Sequence, residues 1–141
     1  MFDKKFEDRM SIWREFRNTL ETSSDPIQQT IEFYNRAPHC LIATDPYNPS
    51  TWPNPWELLQ ENKYCSFVKI LAICYTLQLT DVLSQASYEI HITRDNENSE
   101  TYYLLYVDDI IIGFNGDTYV HKSELPNTLY SELVHALPPQ Q

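Results

Sequence analysis

Apolar residues near the start of the chain recur at helical spacing. Phe2, Phe6, Met10, Trp13, Phe16 and Leu20 follow one another at steps of three and four, which places them on one face of a helix. The pattern predicts a helix over residues 3–21. Lys5, Glu7, Asp8, Arg9, Arg14, Glu15 and Arg17 form its polar side. The aromatic stripe needs a cover, which either the rest of the domain or another chain can supply. A second helix is expected over residues 26–36, where Ile27, Ile31 and Tyr34 share a face. Asp25 suits its N-cap, Pro26 its first position and Gln28 a capping box.

The segment TDPYNPSTWPNPW, residues 44–56, breaks that periodicity with prolines at 46, 49, 53 and 55. Proline at this density forbids helix and central strand. Tyr47, Trp52 and Trp56 favour burial, so the segment reads as an ordered loop pinned by its rings. Asn54, Pro55 and Glu57 then open a short helix over residues 55–60. Residues 64–79, YCSFVKILAICYTLQL, are apolar almost all round, the mark of a central buried helix.

After Asp81 the period falls to two. Tyr88, Ile90 and Ile92 alternate with Glu89, His91 and Thr93, as in a half-buried strand. Further strands are expected at 101–107, 110–114 and 118–121. They are joined by the polar loop at 95–100, by Asp108-Asp109 and by the hairpin signal Asn115-Gly116. Leu129, Leu133 and Leu137 predict a closing helix from Pro126 to Ala136. Helices first, strands second and a last helix make one α+β domain. Its parts are an N-terminal helical stretch (1–43), a Pro/Trp loop (44–56), and a core helix with a four-stranded antiparallel meander and C-terminal helix (57–141).

Composition narrows the functions open to this chain. With 141 residues, 42% apolar and 13% aromatic, it can build a core and is no disordered tail. Two glycines are too few for a phosphate-cradling loop, so P-loop and dinucleotide-binding sites are set aside. A net charge of −10 without a Lys/Arg run argues against nucleic acid and anionic membranes. The same charge favours solubility or a basic partner. No stretch has the length of a membrane span or a signal core, so secretion and membrane insertion are not expected. Cys40, Cys65 and Cys74 have no metal spacing and read as reduced thiols.

One constellation bears on catalysis. Cys65 opens the central helix, where the helix dipole favours a thiolate. His91 follows on a strand and Asp108 at the end of the next. Papain-like and transglutaminase-like enzymes resemble this order of Cys, His and Asp. Such enzymes would use Cys65 as nucleophile, His91 as base and Asp108 as orienter. Cys65 lacks the glycine-bearing surroundings of those families, and a buried structural thiol explains it equally. His39, His91, His121 and His135 are scattered, and the loop at Asp95–Glu100 lacks the glycine and ligand spacing of a calcium site. No metal or cofactor is expected.

The stretches WPNPWELL (52–59), YCSFVKILAICYTLQLTD (64–81) and YYLLYVDD (102–109) resemble a group of small proteins of tailed phages, including phages of marine cyanobacteria. The resemblance spans about residues 44–121 and implies a virion or assembly part in the neck, tail or baseplate. Located in the virion or host cytoplasm, such a part would bind other virion proteins, or further copies of itself within an assembly. Phe6, Trp13, Tyr47, Trp52 and Trp56 are the expected contact residues, since rigid rings give area at low entropic cost. A cysteine-dependent hydrolase or acyl-transferase, and a small acidic regulator that binds a host enzyme, are the alternatives.

Overall fold

A computed structural model describes residues 1–41 and 44–139. Helix α1 (Phe6–Leu20) turns Trp13 and Leu20 inward, as its spacing predicts. Arg9 departs from that reading, because it is buried among them. Its guanidinium donates from Nε to the Leu59 carbonyl at 2.8 Å, from Nη2 to that of Gln60 at 3.1 Å, and from Nη1 to that of Lys4. Leu59 and Gln60 lie in the last turn of helix α3 (Pro55–Glu61), where carbonyls lack helical partners and the dipole favours a cation.

Helix α2 (Pro26–Tyr34) starts where Asp25 accepts the Gln28 N–H at 3.1 Å. The Gln28 side chain does not complete the box. It donates instead to Glu32 and to the Asp117 carbonyl at 3.1 and 2.7 Å. The start of α3 carries the full box: Asn54 accepts from the Glu57 N–H at 2.9 Å, and Glu57 from the Asn54 N–H at 3.0 Å. Helix α4 (Ser66–Gln78) is the centre of the molecule, with every residue from Ile70 to Gln78 buried. Among the described residues, no helix is long and apolar enough to cross a membrane.

The sheet has five antiparallel strands in the order β4-β3-β2-β1-β5: β1 (Tyr88–Asp95), β2 (Thr101–Val107), β3 (Ile110–Ile112), β4 (Val120–His121) and β5 (Leu129–Ala136). Register pairs Tyr88 with Val107, Ile90 with Leu105 and Ile92 with Tyr103. Tyr88, Ile90, Leu105 and Val107 join the buried cluster of α2, α3 and α4. Glu89, His91 and Thr93 therefore face the side away from α4.

Three strand expectations change. The segment from Pro126 to Ala136 is not a helix but ends in strand β5, whose Glu89-to-Ala136 and Asp95-to-Leu129 pairings run along β1. The spacing of Leu129 and Leu133 fits a helix, but β1 would then leave a row of backbone groups unpaired at the sheet edge. Asn115-Gly116 is not a two-residue hairpin. Gly113 alone among the glycines has positive φ, at 109°, and residues 113–119 form a longer link between β3 and β4. The meander is accordingly closed by a return: residues 122–128 carry the chain from the β4 edge to the β5 edge, so that β5 lies beside β1 as in a Greek key.

Candidate functional site

Cys65 and His91 stand on opposite sides of the sheet. Cys65 caps α4, is buried, and meets Tyr103, whose register places it on the helix-bearing face. His91 projects from the other face. Asp108 is used by its own turn: at φ 52° it accepts the Ser87 N–H at 2.9 Å and donates its own N–H to the Ser87 carbonyl at 3.0 Å. The expected Cys65–His91–Asp108 triad is thus not assembled. Alternation along β1 sends His91 away from the helix layer, and no side-chain rotation can bring it back through the sheet.

His91 has a different set of partners. Its Nε2 lies 3.1 Å from Glu89 Oε1, and its Nδ1 lies 2.6 Å from Ser131 Oγ. The imidazole stacks on the Tyr106 ring at 3.7 Å and 11°. A carboxylate only accepts, so Nε2 carries the proton toward Glu89. In the neutral ring Nδ1 then accepts the Ser131 hydroxyl. Glu89, His91 and Ser131 follow the polarity of a hydrolase triad on the face of β1 away from α4. The chain of bonds ties β5 to β1 across their shared face.

A cleft of about 520 Å³ opens at the start of α4. Asp45, Pro46 and Tyr47 line it on the loop side, together with Cys65 and Phe67 from the start of α4 and Tyr103 from β2. The Asp45 wall is held by its own chemistry. Asp45 Oδ1 accepts the Tyr47 N–H at 2.9 Å, and its carbonyl accepts Trp52 Nε1 at 3.1 Å. Trp52 packs on Phe67 at 4.9 Å and on His135 at 5.1 Å, so the loop leans on the core. Burial raises the Tyr103 pKa, and the nearby Tyr47, Cys65 and Asp45 raise it further, since negative charge on these groups opposes a tyrosinate. A second cleft, about 320 Å³, lies on the other side of Ser66 and Tyr103 and includes Lys69 and Gly113. The Lys69 ammonium there is bonded to Asn35 Oδ1, and burial lowers its pKa.

No family model matches the chain, and no curated protein matches it. The resemblance to tailed-phage proteins gains no support from these comparisons.

The expected contact residues divide. Trp13 is only 2% exposed and donates from Nε1 to Thr76 Oγ1 at 3.0 Å, so it belongs to the interior. Its neighbour Trp56, edge-on at 5.5 Å, is 49% exposed. Tyr47 is 46% exposed at the cleft rim, whereas Phe6 and Trp52 are half-buried. Sequence reasoning missed Leu41, which is 91% exposed on the same rim, and Tyr103. An isolated leucine before the proline-rich stretch carries no periodic signal. Tyr103 lies in TYYLLYV, a strand whose alternate residues are apolar or aromatic on both faces, so its side of the sheet carries no polarity signal in the sequence. Among the described residues, no group of three or more His, Cys, Asp or Glu is placed to hold a metal ion.

Proposed function

We propose that this protein works by protein–protein contact, through the surface around the α4 cleft and through Trp56. The carrying observation is the rim itself: Leu41 at 91% and Tyr47 at 46% exposure flank an open cleft of about 520 Å³. Large apolar groups held in water beside a concavity favour association, since burial of apolar area drives most protein contacts. Order in the Asp45–Tyr47 turn supports the same reading, because a wall fixed in advance loses little entropy on binding. A virion or phage-assembly setting, in the neck, tail or baseplate, rests on the resemblance of residues 44–121 alone.

The test places a photo-crosslinking phenylalanine at Tyr47, at Trp56 and at the exposed control Glu15, in the cells that make the protein. A discrete adduct from Tyr47 or Trp56, absent from Glu15, is expected. The same partner should lose affinity for the Tyr47→Ser, Trp56→Ser double variant. No adduct from either ring, or unchanged affinity in the double variant, overturns the reading. Mass spectrometry of purified particles then tests the virion setting separately.

A further inference from the structure

Resting on that reading, we propose that the cleft at the start of α4 receives a basic side chain, an arginine in the first place, from the partner protein. The lining decides the sign of the occupant. Among the described residues Asp45 is the one charged residue of the lining, and Tyr47, Phe67 and Tyr103 supply aromatic surface. No Lys, Arg or His lines this cleft among the described residues. Asp45 spends Oδ1 on the Tyr47 N–H, and no hydrogen bond to Oδ2 is found among the described residues. The start of α4 opposes a cation with about half a charge, whereas the Asp45 carboxylate attracts it with a full one. The cation therefore seats toward the Asp45–Tyr47 wall rather than against Ser66.

Guanidinium suits this lining in two ways. Its fork donates to a carboxylate, and its flat face lies on aromatic rings. The other polar residues of the lining include Thr44, Tyr47, Ser66 and Tyr103, whose hydroxyls are of the kind that accept its other N–H bonds. At longer range the net charge of −10 draws a basic partner toward the molecule. Lys69 on the far side of Ser66 is occupied by Asn35 and lines the other cleft.

The probe is the blocked tripeptide Gly-Arg-Gly, compared with Gly-citrulline-Gly, which keeps the shape and removes the charge. Binding is read from the ring NMR signals of Tyr47 and Tyr103 in the full chain. The arginine peptide should shift both rings, and the citrulline peptide should bind about tenfold more weakly. Asp45→Asn keeps an oxygen for the Tyr47 N–H and removes the charge, so it should abolish the difference between the peptides. Equal binding of the two peptides, an undiminished preference in Asp45→Asn, or shifts confined to the acidic β1–β2 loop would each overturn the proposal. If the peptides fail while crosslinks from Tyr47 persist, the contact surface stands and only its preference for arginine falls.

Discussion

Thr76 shows how one side chain can organise an interior. Its hydroxyl donates to the Ala72 carbonyl at 2.8 Å, which uses its only proton. It must then accept from Trp13 Nε1 at 3.0 Å and from the Tyr34 hydroxyl at 2.9 Å. Three helices, α1, α2 and α4, meet at one oxygen. Thr76→Val keeps the shape but leaves a buried indole N–H and a phenol without an acceptor. It should lower stability by about 2–4 kcal/mol, measured by urea unfolding; a loss below about 1 kcal/mol would show that these bonds contribute little. The two glycines make a contrasting pair. A Cβ on Gly113 would meet the Tyr103 carbonyl oxygen at 2.4 Å, and the residue sits at φ 109°, whereas Gly116 has nothing within 4 Å. Gly113→Ala should be strongly destabilising and Gly116→Ala close to neutral in thermal unfolding. Equal effects would mean that the link between β3 and β4 yields freely.

At the scale of elements, β5 is the informative one. The pairing of Ile92 with Leu133 and of Thr93 with Ser131 leaves Glu132 as an extra residue, a bulge in the outermost strand. Tyr130, Leu133 and Val134 are exposed on this strand, so an uninterrupted edge would invite further strands. The bulge blunts it, and the Glu132 carboxylate at the bulge is held by Arg94 Nε of β1 at 3.0 Å. Removing Glu132 alone restores a regular ladder without moving any neighbour to the wrong face. The deletion variant should self-associate at concentrations where the parent does not, as read by light scattering; unchanged mass would remove the bulge from this role. The hydroxyl of Ser131, bonded to His91, clamps the same strand. Ser131→Ala should cost about 1 kcal/mol. A fluorophosphonate should leave Ser131 unlabelled, and covalent labelling there would restore a catalytic reading of Glu89, His91 and Ser131.

For the whole molecule, the buried tyrosines set the limit on the alkaline side. Burial pushes Tyr34 and Tyr75 up to about 12, and it drives Tyr64 and Tyr88 higher in the same direction. A folded pKa above the unfolded value of about 10 means that the unfolded chain loses these protons first. The stabilisation is complete below pH 10 and declines as pH rises toward the folded values, by up to about 1.4 kcal/mol per pH unit for each tyrosine. The Cys74 thiol, also raised by burial, adds the same effect from about pH 9; thermal midpoints should start to fall near pH 9 and fall steeply beyond about pH 10, with tyrosinate absorbance appearing in the same step as unfolding. Gradual ionisation before any unfolding would show that these phenols are open to water.

Much was decided locally. Asn54 with Glu57, Asp25 with Pro26, the continuous apolar run of α4 and the alternation of β1 each carry their structure within a few neighbours, where capping and side-chain period act. What those rules could not reach was set by partners distant in the chain. Arg9 looked like a solvent-facing charge until α3 offered it carbonyls 50 residues away. Residues 129–136 fit a helix by spacing and became a strand because the free edge of β1 needed backbone partners. Trp13 and Trp56 read alike as rings, yet one is enclosed and the other exposed. The α4 cleft, finally, draws together residues from 41 to 103, and a concavity built from such separated pieces exists only once long-range packing has closed it.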